Sequence, residues 1–244
     1  MSRGPFIKDS HLGVAIALGG VTNFSTRNVF GGRVNLPSLA EVDVVPFADA
    51  YVFPPDGGEE MQVVSSDAGN DSTLAVTGLG AEGEYRSEEV AINGAVTIPL
   101  SGLWSRINGI VTSGGEELVP LSISVTGPGA AVTYAVLQAS QTDNNSVFTI
   151  PAGKKGLVLS FVPTMTKSGG SDVGVLARVK VRRRGGVFVT PFALGMQRSG
   201  NTAPSFDNVL PDMIPPLTDI KITAEADSAS TSVGVRYSLL LVEG

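Results

Sequence analysis

The chain has 244 residues, of which 42% are hydrophobic and 16% charged, with 30 Gly, 15 Pro, no Cys and a net charge of −6. The glycine and proline load excludes long helices, the missing cysteines exclude disulfides and thiolate chemistry, and the acidic balance excludes a general nucleic-acid binder, which must neutralise phosphates with Lys and Arg. No apolar run approaches the roughly 20 residues that cross a bilayer as a helix, so no membrane partner is expected.

Residues 1 to 48 show no sustained period, because Gly and Asn interrupt Val21 to Val34 and prolines at 37 and 46 break the remaining stretch. The segment reads as an extended N-terminal arm. Phe6, Ile7, Leu12, Ile16, Leu18, Phe24 and Phe30 make it too apolar for a solvated tail. They are expected to cover a surface, either the protein's own body or a neighbouring subunit. Leu12 to Gly20 has the length of a secretion-signal core, but Asp9, Ser10 and His11 interrupt the approach to it, so it is assigned to the arm.

From residue 49 apolar residues alternate with small or polar ones: Met61 and Val63, Leu74 and Val76, Val90 and Ile92, Val96 and Ile98, then Leu121, Ile123 and Val125. Period two is the signature of half-buried strands. Ser65 to Ser72, Gly78 to Gly83, Asn93-Gly94 and Ser113 to Gly115 supply turn chemistry between them, and Asn93-Gly94 predicts a hairpin joining Val90/Ile92 to Val96/Ile98. Gly127-Pro128-Gly129 breaks either regular structure and predicts a domain boundary. Charge changes sign nearby: residues 1 to 131 carry 15 acidic and 6 basic side chains, a net −9, and the remainder carry 8 and 11, a net +3.

A second strand series runs over 132–137, 147–150, 157–162, 173–182, 187–192, 220–226 and 233–242. Within it Val173, Val175, Ala177, Val179 and Val181 share one face while Arg178, Lys180 and Arg182 share the other, predicting a core face and a cationic face. The proline-rich 201–216 stretch predicts a crossover loop. The whole predicts an all-β protein: two tandem antiparallel β-sandwiches, jelly-roll or immunoglobulin-like, over residues 49–127 and 130–244, behind an arm over 1–48.

The inventory for chemistry is thin. His11 is the sole histidine and no cysteine exists, so neither a nucleophile–imidazole pair nor an ordinary zinc site can be assembled. The vicinal acids Glu59/Glu60, Glu88/Glu89 and Glu116/Glu117 diverge if extended, and Glu82 and Glu84 flank Gly83 in a turn. Asp67, Asn70 and Asp71 lack EF-hand spacing and read as turn residues, as do Asp143, Asn144 and Asn145. No phosphate loop is present. The expectation is therefore no catalytic, cofactor-binding or metal-binding residue. Arg182, Arg183 and Arg184 form the one basic cluster; a solvated strand end and contact with an acidic protein surface both fit it, and nucleic acid fits less well. Trp104 is expected in a core or between domains.

IALG (Ile16 to Gly19), NVFGGR (Asn28 to Arg33), YVFP (Tyr51 to Pro54), MQVVSSDAGNDS (Met61 to Ser72), VTGLGAEGEYRSEEVAINGA (Val76 to Ala95), FTIPAGKKG (Phe148 to Gly156), VKVRRRGGVFVT (Val179 to Thr190), LTDIKITAEAD (Leu217 to Asp227) and LLLVEG (Leu239 to Gly244) succeed one another along most of the chain. In that order they resemble a group of virion structural proteins of tailed bacteriophages, many of them aquatic. The loop around Ser113 to Glu117 is shorter than that resemblance leads one to expect. The resemblance implies a non-enzymatic decoration or cement protein on the capsid exterior that binds the major capsid protein, with a tail, neck or fibre component as the alternative. Symmetric sites favour symmetric ligands, so a homotrimer at local threefold axes is expected.

Overall fold

The computed structural model describes residues 23–66, 68–69, 71–114, 123–137, 146–167, 173–197, 206–207 and 213–244. In chain order the strands are β1 (Phe24–Leu36), β2 (Val42–Asp43), β3 (Glu59–Ser65), β4 (Thr73–Gly80), β5 (Tyr85–Ala91), β6 (Ile98–Gly114), β7 (Ile123–Thr126), β8 (Thr133–Leu137), β9 (Phe148–Thr149), β10 (Lys154–Lys167), β11 (Gly174–Arg183), β12 (Val189–Gln197), β13 (Phe206–Asp207), β14 (Thr218–Ala226) and β15 (Thr231–Glu243). The protein is all-β, and every pair of named strands is antiparallel.

One sheet has the order β1-β15-β10-β13 and a second the order β12-β11-β14-β2, with β9 also on β14. Together they enclose one core. Strand β15 sends Val233, Val235, Tyr237, Leu239 and Leu241 inward at period two, and β11 and β14 answer with Val175, Ala177, Val179, Ile220, Ile222, Ala224 and Ala226. Burying a Val, Leu or Ile side chain contributes about 1.5–3 kcal/mol each, so this alternation fixes which face turns inward. The third sheet, β5-β4-β6-β3-β7-β8, curls around a separate core of Met61, Val63, Leu74, Val76, Trp104, Ile107, Ile110 and Leu137.

The structure differs from the sequence expectation in three places. The Gly127-Pro128-Gly129 segment is not an interdomain linker: it forms a short 3-10 turn, and β8 after it pairs with β7 inside the same sheet. The described part of the expected arm contains β1 and β2, which belong to the protein's own two-sheet unit. Val29 and Leu36 are buried in its core, and β1 runs along β15 from Phe24↔Val242 to Arg33↔Val233. From residue 23 onward the chain runs first in the two-sheet unit, crosses to the curled sheet at β3 and returns after β8. Gly31 permits this packing, because a Cβ there would run into the backbone and side chain of Ser146.

The third difference concerns Asn93-Gly94. Gly94 does make a turn with φ +69, but β5 and β6 are not neighbours; β4 lies between them and pairs with both. The real hairpin is β4–β5, closed by Gly80 to Glu84, where the Gly83 amide donates to the Gly80 carbonyl at 3.0 Å.

Candidate functional site

The basic cluster is where sequence and geometry diverge most. Arg182 lies directly opposite Asp219 across β11–β14. Its guanidinium donates to Asp219 Oδ2 from Nε at 3.0 Å and Nη2 at 2.5 Å. From the curled sheet, Arg106 reaches the same carboxylate, Nε to Oδ1 at 2.7 Å and Nη2 to Oδ2 at 3.1 Å. Thr149 Oγ1 donates to Oδ1 at 2.7 Å. Asp219 is fully buried, so its two cations and one hydroxyl replace the water it has lost.

Arg106 is itself buried and completes its donors on Pro54 O at 3.0 Å and Asp56 Oδ1 at 2.6 Å. Burial works against the charged guanidinium, but hydrogen bonds and attraction from Asp219 and Asp56 outweigh it and hold its pKa above the ordinary value. The ring of Phe53 lies against both guanidinium groups, 5.4 Å from Arg106 and 4.5 Å from Arg182, and Phe188 stacks on Arg182 at 4.7 Å. Arg184 donates to Ala81 O at 3.2 Å and pairs with Asp56 at 3.7 Å. Of the three predicted contact arginines only Arg183 faces solvent.

The cationic face of β11 is neutralised by the protein's own acids. Arg178 pairs with Glu225 at 2.8 Å and Glu41 at 3.5 Å, and Lys180 pairs with Glu41. On β14, Lys221 binds Asp43 at 2.8 Å, and Asp43 also accepts the Tyr51 amide at 2.5 Å. Glu41 and Asp43, beside and on the edge strand β2, thus supply counter-charges for this sheet's cations. Burial pushes the Glu41 carboxyl up, but hydrogen bonds from Lys180 and Thr223 and the charges of Lys180 and Arg178 outweigh it and hold it below its usual range. Burial, reinforced by Asp219, Tyr134 and Asp43 against the opposing pull of Arg106, pushes the Tyr51 phenol well above its ordinary pKa.

Other contacts also join the two units. Asn108 uses its side-chain amide as a strand would, donating to Thr149 O at 2.9 Å and accepting from Thr149 N at 2.8 Å. The Ala152 amide donates to Gly83 O at 2.8 Å, Leu217 packs on Gly83, and Arg184 holds Ala81. Sequence reading missed Arg106, Asn108 and Asp219. The available signal is Trp-Ser-Arg-Ile-Asn-Gly-Ile (Trp104 to Ile110), a strand whose second face is polar although every residue in it is buried. Trp104 itself sits in the curled-sheet core, with its indole N–H on Ser101 O at 3.1 Å.

Three of the acids weighed as catalysts make structural bonds. Glu84 accepts the Glu82 amide at 3.1 Å inside its own turn, Glu88 accepts the Ser101 amide at 2.9 Å, and Glu59 accepts the Tyr134 hydroxyl. Among the described residues, no three His, Cys, Asp or Glu side chains converge as metal ligands, and no helix is long and apolar enough to cross a membrane. Asp67, Asn70, His11, Glu116, Glu117 and residues 143 to 145 lie outside the described residues, as do Phe6, Ile7, Leu12, Ile16 and Leu18. Phe24 and Phe30 are described: both lie on the outer face of β1, 37% and 40% exposed, with Val34 beyond them at 68%.

No family model matches the chain, and no curated protein matches it. Solved structures of infectious bursal disease virus are similar at 14% identity. These are a Gt-strain structure (TM-score 0.22, covering 91% of this chain and 77% of that one), a VP2 subviral particle (0.21, 91% and 76%) and a T13 viral particle (0.20, 90% and 72%).

Proposed function

We propose that this chain is a non-enzymatic structural protein of a bacteriophage particle, acting as a decoration or cement protein on the capsid exterior and binding the major capsid protein. The phage assignment comes from the sequence resemblance. The observation that carries the structural role is how the side chains are used. The buried Arg106–Asp219–Arg182 cluster is paired within the protein, while large apolar side chains such as Phe24, Phe30, Val34, Val187 and Val189 face outward on strands and a hairpin tip. Outward apolar side chains on a firm β framework suit contact with other proteins.

The mechanism is linkage: a protein that binds assembled shell and not free subunits stabilises the shell by its binding free energy at every site occupied. The deciding measurement is the amount of this protein relative to the major capsid protein in purified particles. A ratio near that of the shell's repeating sites supports decoration. A ratio smaller by an order of magnitude or more assigns the protein to tail, neck or fibre, and absence from particles overturns the reading.

A further inference from the structure

The free edge of β1 differs from the other sheet edges. Strands β12, β5, β2, β8 and β13 end their sheets with devices that discourage pairing: Pro191 interrupts β12, Arg86, Glu88 and Glu89 charge β5, and β2, β8 and β13 are two, five and two residues long. Strand β1 is 13 residues long, has no proline, and keeps one register on β15 without a bulge from Phe24 to Arg33.

The direction of its backbone groups is set by that register. The Glu243 amide donates to Asn23 O, so Asn23 and Glu243 form a hydrogen-bonded pair, and such pairs alternate along an antiparallel ladder. Residues 25, 27, 29, 31 and 33 therefore face β15. Phe24, Thr26, Asn28, Phe30 and Gly32 direct their N–H and C=O groups to the open side. Among the described residues, β15 is the only strand beside β1.

We propose that this edge pairs with the same edge of a second copy, antiparallel and two-fold symmetric about Asn28. The choice of occupant rests on complementarity. The run Phe24 to Gly32 is centred on Asn28, so a two-fold there engages every outward-pointing backbone group. Phe24 then covers Gly32 of the second copy, Thr26 faces Phe30, and the two Asn28 amides meet. Aromatic over glycine is a favourable strand pair. On the other face Arg27 lies opposite Val29, so no like charges oppose each other. The contact is isologous, as closed dimers require, and differs from the threefold arrangement expected from the sequence. It stands on the strand geometry and holds whether or not the chain belongs to a particle.

The chain contains no cysteine, so a single Asn28→Cys variant tests the register directly. The two Cα atoms of a hydrogen-bonded pair lie about 5.5 Å apart, within disulfide range. Thr26→Cys is the control, since its symmetry mates fall ~14 Å apart along the strands. The expected result is disulfide-linked dimer from full-length N28C under mild oxidation and little from T26C, with wild type sedimenting as a dimer. Phe30→Pro removes an N–H aimed at the open side and leaves the β15 ladder intact, so it should sediment as a monomer with unchanged circular dichroism. Equal cross-linking of N28C and T26C, or a monomeric wild type, overturns the proposal.

Discussion

Asp219 shows how a single residue changes meaning between sequence and fold. In the chain it is one acid in LTDIKITAEAD; in the fold it is the fully buried counter-charge to Arg106 and Arg182. Asp219→Asn should lower stability by about 3–5 kcal/mol, because two guanidinium groups lose their counter-charge in a water-poor site. The midpoint of urea unfolding measures this. Arg183→Glu, at an exposed position, should change stability by less than about 0.5 kcal/mol. Reversing all three arginines would therefore test the junction rather than a surface contact, and Arg183→Glu alone is the variant that isolates surface charge.

Two carboxyls are expected to make stability fall on acidification. Those of Glu41 and Asp56 are pushed up by burial but held below their ordinary values of 4.5 and 3.8 by hydrogen bonds and cations, Lys180 and Arg178 for the first and Arg106, Arg184 and Arg182 for the second. A lowered folded-state pKa means that the unfolded chain binds protons first on acidification. The stability these groups contribute is thus present at neutral pH and is lost as pH falls below those ordinary values through the folded-state pKa. Urea midpoints taken across that range should decline, and Glu41→Gln should flatten the decline. An identical profile in the variant would show that Glu41 plays no part.

At the scale of elements, the β4–β5 hairpin sets how the curled sheet meets the sandwich. Gly83 at its tip has φ +82, and a Cβ there would collide with Leu217, itself held at φ +55 with its amide on Ile150 O at 2.9 Å. Gly83→Ala should cost about 1–3 kcal/mol from backbone strain and overpacking together. Adding Leu217→Ala should recover the overpacking part, so the two effects should fail to add. Strict additivity in a double-mutant cycle would show that the hairpin and Leu217 do not bear on each other.

For the whole molecule, the same junction predicts cooperative unfolding. Arg106 to Asp219, Asn108 to Thr149 and Ala152 to Gly83 all cross between the two units, and the chain passes from one to the other and back. Calorimetry of wild type should show a single transition, and Asn108→Ala should broaden or split it; two separate transitions in wild type would argue against a coupled junction. Deleting residues 1 to 45 should unfold the sandwich, since it removes β1 and β2 together with Val29, Leu36, Val42 and Val44 from the core.

The all-β class was legible in the sequence because period-two burial needs only local alternation, and Val175, Ala177 and Val179 against Arg178 and Lys180 declare their faces in any antiparallel sheet. Turn positions were legible for the same reason: Gly94 takes its positive φ from local sterics. Partnership was not. Asn93-Gly94 marks a turn, yet only the insertion of β4 decides that β5 and β6 are not neighbours. Phe24 and Phe30 announce a need for cover, but only the register on β15 shows that β1 belongs to the protein's own sandwich and which of its edges stays open. The arginine run predicts charge, and only the approach of Arg106 and Asp219, 113 residues apart, decides that two of the three are consumed within the molecule. Alternation and turn sterics act between neighbours in sequence, whereas strand order and charge pairing depend on which distant segments share a buried surface.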